Sequence, residues 1–184
     1  MRAKLKDLFR WFFQADKKVT AWMADNGILL LRLSLGFVYV WFGALKFFPG
    51  MSPAEELAQR TIEQLTFGLL PPNFSIYILA TWECLIGLGL IFGVYLRATL
   101  ILLWLQMLGA IMPLFLFPQD VFLQVPFAPT MEGQYIIKNL VIISAGLVIG
   151  ATVRGGRLVP EPEDEQPTNP EEAMPAMLAD SERV

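Results

Sequence analysis

Histidine is absent from these 184 residues, and cysteine occurs once, at Cys84. The chain by itself therefore has no dithiol, no zinc-finger ligand set and no His-ligated haem or copper site, so neither a covalent cofactor nor a haem or metal is expected. An enzyme complete in this one chain is not expected either. Charge is sparse in long stretches: the runs 27–48, 74–95, 98–117 and 134–153 each hold at most two charged residues. Lysine and arginine are missing from the connection 118–133. Nothing in this distribution suggests nucleic acid as a partner; the expected surroundings are a lipid bilayer.

Each apolar run reaches the ~20 residues that a helix needs to cross a hydrocarbon core about 30 Å thick. A composition 55% hydrophobic and a mean hydropathy of +0.51 fit the same reading. The expected fold class is an all-α membrane protein, a single bundle of four transmembrane helices over residues 26–159. Ahead of it, Leu5, Leu8, Phe9, Phe12, Val19, Trp22 and Met23 recur at helical spacing opposite Lys4, Lys6, Arg10, Lys17 and Lys18. That pattern describes an interfacial amphipathic helix over residues 1–25. Residues 160–184 carry eight acids against Arg183 among many prolines, and are read as a disordered acidic tail. Cys84 is expected to be a small filler within the second span.

Basic residues flank the spans at the N-terminus, at Arg97 and at Arg154 and Arg157, which places both termini in the cytoplasm and the connections 49–73 and 118–133 outside. The expected location is a bacterial cytoplasmic membrane. Within the first outer connection, Ser52, Pro53 and Glu55 resemble a capping box, predicting a short helix that Pro71 and Pro72 end. The second, rich in proline and apolar residues, is expected to pack over the bundle's outer mouth.

The polar groups inside the runs are the candidates for function, because an ionisable side chain at that depth costs about 2.5–3.5 kcal/mol even on lenient scales. They are Arg32 and Lys46 in span one, Glu83 in span two, Gln106 in span three and Lys138 and Asn139 in span four, with Glu132 just outside. By helical rise, Glu83 lies ~13 Å and Lys138 ~6 Å below the outer edge, within a lysine's reach. The expectation is a charge cluster of Glu83 with Lys138, and with Arg32 as a further partner. Arg32 and Lys46 also lie near enough to the interfaces to snorkel alone, whereas Glu83 does not. Gly36 and Gly43, Gly89 and Gly93, and Gly146 and Gly150 have the spacing of close helix packing, and Pro113 should kink span three.

The stretch Arg32-Leu-Ser-Leu-Gly-Phe-Val-Tyr-Val-Trp-Phe-Gly-Ala-Leu-Lys-Phe47, the pair Trp82-Glu83 followed by Gly87 and Gly89, and Glu132-Gly-Gln-Tyr-Ile-Ile-Lys138-Asn139 resemble the DoxX family of bacterial four-helix membrane proteins. The similarity covers residues 27–155 or so. It implies the fold more firmly than the activity, since such proteins include a subunit of a quinone-linked oxidoreductase, stress-resistance proteins and an assembly chaperone. Three readings follow. The first is a redox- or stress-linked subunit that binds quinone at the polar cluster and takes electrons from a membrane or peripheral partner; the others are a non-enzymatic assembly factor and a carrier of small solutes or lipid. A homo-oligomer is compatible with each.

Overall fold

The computed structural model describes residues 2–52 and 54–159, and in it the apolar runs are helices. The order is α1 (Arg2–Leu45), α2 (Glu55–Leu65), α3 (Pro72–Phe92), α4 (Leu96–Ile111), the single turns α5 (Pro113–Leu116) and α6 (Pro118–Val121), a hairpin of β1 (Phe122–Gln124) and β2 (Ala128–Pro129), and α7 (Met131–Thr152). Four stretches, Gln14–Leu45, Phe74–Phe92, Leu96–Leu116 and Met131–Thr152, are long and apolar enough to cross a membrane. The expected all-α, four-span architecture is thus present.

The stretch read as an interfacial helix is helical, but no break separates it from the first span within α1. The acidic tail expected over 160–184 lies outside the described residues, as do Pro53 and the side chains of residues 2–10. Residues 29–155 form one compact unit. Residues 2–28 belong to another, in which Trp11, Phe12, Val19, Trp22 and Met23 are exposed.

Inside the 29–155 unit, glycines set how closely the spans approach. A Cβ on Gly36 would stand 2.8 Å from the Gly87 carbonyl oxygen, and one on Gly87 would stand 2.7 Å from that of Gly36. One heptad along α1, Gly43 lies equally close to Glu83 and Cys84 of α3. Gly89 receives Thr99 of α4, and Gly146 of α7 faces the Trp104 ring. Lipid offers no hydrophobic drive for helices to associate, so this close contact, together with the buried cluster of Leu35, Ile86, Leu90, Leu103 and Ile149, holds the bundle together. Gly93 has a second part besides close packing: it receives the Arg32 guanidinium of α1 and is the C-cap of α3, with φ +68, where a left-handed turn favours glycine. Pro113 ends α4 and opens α5, as its missing N–H requires.

The connections at the α2 end are ordered. α2 has Ala54 as its N-cap, with φ +55 and no capping side chain. The helix cap therefore falls two residues later than Ser52, and the Glu55 carboxylate accepts from the backbone N–H of Gly50 at 3.0 Å, in a turn that Gly50 makes with φ +75. The Arg60 guanidinium of α2 donates to Asp120 of α6 at 2.8 Å and lies over the Phe117 ring, 4.5 Å from its centroid. Behind it, the Thr130 hydroxyl caps α7 by accepting from Gly133 N–H. The Thr130 N–H donates to the Val121 carbonyl at 2.9 Å. Gly133 lies so close to that same carbonyl that no side chain fits.

Gly133→Ala is therefore expected to lower stability by about 1–3 kcal/mol, because the obstruction is backbone and cannot swing away. Gly109→Ala, where nothing stands within 4 Å of the added atom, should be neutral or slightly stabilising. Thermal unfolding of both variants in one detergent compares them.

Candidate functional site

The approach of α1 and α3 at Gly43 determines what Glu83 meets. Lys46 follows Gly43 by one turn, its N–H bonded to the Gly43 carbonyl at 3.1 Å, and its side chain turns back onto α3. Lys46 Nζ lies 2.6 Å from Glu83 Oε2, and the two side chains are only 13% and 9% exposed. The other carboxylate oxygen, Oε1, accepts from Gln106 Nε2 of α4 at 2.9 Å. Gln106 Oε1 in turn accepts from the Tyr39 hydroxyl of α1 at 2.9 Å. An ionised carboxylate can only accept, so the Gln106 amide must present its nitrogen to Glu83 and its oxygen to Tyr39. Every donor in the chain runs toward the carboxylate, and three helices meet there.

This corrects the pairing that helical rise suggested. Depth alone allowed Lys138 to reach Glu83, but the glycine contact brings span one, not span four, against it. Lys46 is accordingly a buried partner, not a snorkelling residue. Lys138 is exposed, and its Nζ lies 5.6 Å from the Tyr135 ring centroid. Arg32 takes no part in the cluster. It lies 14 residues from Lys46 along α1, roughly 21 Å by helical rise, and its guanidinium packs on Gly93 in the turn at the other end of the bundle. Its Nε is buried and has no hydrogen-bond partner among the described residues.

Tyr39 is the residue the sequence reading passed over. Its signal was present: Gly36, Tyr39, Gly43 and Lys46 follow 3-4-3 spacing and so share one face of α1, as Glu83, Gly87 and Leu90 do on α3.

A cavity of about 820 Å³ within the 29–155 unit is lined by α1, α2, α3, α4 and α7. Its walls are mostly aliphatic and aromatic, including Leu57, Ile62, Ile78 and Trp82. Glu83, Lys46, Gln106 and Tyr39 face it, and so do Glu132, Lys138 and Asn139 of α7. Six of the seven polar residues singled out in the sequence thus border one space; Arg32 is the exception. The volume lies in the 300–1,000 Å³ range typical of small-molecule sites, and a few convergent polar groups in an apolar wall are the usual form of such sites.

The chemistry the site offers can be counted. Lys46 has three N–H donors, of which one goes to Glu83 and a longer one, 3.4 Å, to the Phe42 carbonyl. The carboxylate has about four acceptor positions and uses two. Donor and acceptor capacity therefore remain side by side at one place on the cavity wall.

A family model for DoxX matches residues 27–118, half of the chain. The chain belongs to the DoxX family. The matched stretch contains Tyr39, Lys46, Glu83 and Gln106, whereas Glu132, Lys138 and Asn139 lie beyond it and are joined to the DoxX positions by the cavity. No curated protein and no solved structure matches the chain.

Removing one member of a buried charge pair strands the other, at a cost of about 3–5 kcal/mol, while removing both can be nearly neutral. Lys46→Met and Glu83→Gln should each destabilise the bundle, and the double variant should regain most of the loss. Lys138→Met should change stability by less than about 0.5 kcal/mol. Thermal unfolding of the complete cycle in detergent tests this, and additive effects of the Lys46 and Glu83 substitutions would refute the pairing.

Proposed function

We propose that this DoxX-family membrane protein binds a small amphiphile in the cavity, its polar head at Lys46 and Glu83 and its apolar body among the side chains of α2, α3 and α7. The observation that carries this reading is a buried carboxylate with spare acceptor capacity beside a lysine with a spare donor, on the wall of an otherwise apolar space. A quinone fits that description: when bound, it supplies two-electron redox chemistry that the chain's own residues lack. Lys46 Nζ would donate to a quinone carbonyl, and a Glu83 oxygen would accept from a quinol hydroxyl. Gln106, held between Tyr39 and Glu83, fixes where the carboxylate points. The electrons would come from a membrane or peripheral partner, which makes the protein a subunit of a redox- or stress-linked system.

The test is a titration with a short-chain quinone and its quinol. A ligand at about 100 times its Kd stabilises its host by about 2.7 kcal/mol. A saturable rise in melting temperature is therefore expected for the wild type and none for the folded Lys46→Met/Glu83→Gln variant. Extraction of the purified protein should release quinone in near-stoichiometric amount. No shift, with no more quinone than an unrelated membrane protein carries, would defeat the reading.

The distribution of lysine and arginine supports both termini facing the cytoplasm, in a bacterial cytoplasmic membrane. With Cys84 replaced by serine, a cysteine at Gln119 should react with an impermeant reagent applied outside the cell, and one at Arg157 should react only after lysis. The reverse pattern would invert the topology.

A further inference from the structure

At the end of the bundle that carries α2, two separate connections present large apolar side chains almost wholly outward. In the α2–α3 turn, Phe67 is 92% and Leu69 82% exposed; in the β1–β2 hairpin, Leu123 is 80% and Phe127 83% exposed. These exposures are held by the backbone. Phe67 stands at φ +53, a conformation costly for an aromatic residue. It is kept there by bonds from Gly68 N–H to the Glu63 carbonyl at 2.8 Å and from Leu69 N–H to the Thr66 carbonyl at 3.0 Å. In the hairpin, Phe127 N–H donates to the Gln124 carbonyl at 2.8 Å, and the base is fixed to α7 through Thr130 and Val121. The Arg60–Asp120 pair ties the element before one turn to the element before the hairpin. Two fixed apolar projections in water would be disfavoured.

We propose that these two connections insert into the bilayer itself, at the boundary between headgroups and acyl chains in the leaflet at the α2 end, and so anchor that end of the bundle. Lipid is the occupant the surface points to, because each projection continues an apolar face already exposed on a span. Leu69 leads into Phe74 and Ile78 of α3, and Phe127 leads into Met131 of α7. Neither segment carries a charge, from Gln64 to Trp82 or from Val121 to Met131, which a protein partner recognised through polar contacts would not require but an acyl-chain boundary does. Both connections sit within a few residues of a span end, so the boundary is within their reach.

The experiment places an environment-sensitive fluorophore on cysteine at Leu69, at Phe127 or, as an aqueous reference, at Gln119, each in a Cys84→Ala chain reconstituted alone into phosphatidylcholine vesicles. Labelled chains are kept only if their melting temperature in detergent matches that of the unlabelled protein, which excludes misfolded material. At 69 and 127, lipids spin-labelled near the headgroup should quench strongly, and iodide should quench several-fold less than at 119. Iodide quenching equal to that at 119 at either position would overturn the proposal by showing that the tip is in water. Shielding from iodide without quenching by the spin-labelled lipids would overturn it as well, by showing that a second copy of the chain covers the surface.

Discussion

The contact on which the site depends is the close approach of α1 and α3. Gly36 against Gly87 brings the two backbones together, and Gly43 against Glu83 and Cys84 continues that contact toward the α2 end. With a larger residue at any of these positions the helices would separate, and Lys46 would no longer lie on Glu83. In a medium where an unpaired charge is strongly disfavoured, the packing of small residues and the placement of the charges are one requirement. The same contact also puts Tyr39 where it can reach Gln106, so the helix interface and the hydrogen-bond chain arise from a single face of α1.

Around this pair the remaining elements act as walls and fasteners. α4 supplies Gln106 and packs on α3 through its own Thr99, against Gly89, and through Trp82 of α3, whose indole N–H donates to the Leu102 carbonyl at 3.1 Å. α7 brings a second group of polar residues to the cavity wall, and α2 closes part of the boundary with Leu57, Thr61 and Ile62. Arg60 joins α2 to α6 by an ion pair and a cation–π contact, so the segment bordering the cavity is held from outside the spans. A polar pair made by two spans, a third polar residue from the next and an apolar space enclosed by all of them form an arrangement suited to a molecule with one polar end.

Much of this was legible in the amino-acid order. Span number and type followed from four apolar runs of membrane length, because a continuous run of about 20 apolar residues crosses lipid with its backbone satisfied as a helix, whereas a barrel strand is about half as long. The glycine spacings marked the interfaces, and the expense of charge at depth marked Glu83. Six of the seven polar residues proposed on that ground border one cavity. What could not be read was azimuth. Glu83 faces Lys46 because α3 packs on α1 at that level, and depth along a helix axis contains no information about which neighbour it faces. The same gap explains Arg32, which depth and charge alone joined to a cluster that lies at the other end of its helix.

The sequence by itself determined the medium, the number of crossings, the residue types that must find partners and membership in the DoxX family, since these follow from local composition, period and motif. The tertiary structure decided the partners: Lys46 in place of Lys138, Tyr39 as the end of the chain through Gln106, Gly93 as a cap that also receives the Arg32 guanidinium, and Glu55 bonded to the Gly50 N–H. Each of these depends on which backbone lies within a few ångströms of which other. That distance is set by the packing of all the helices together, and no single segment records it.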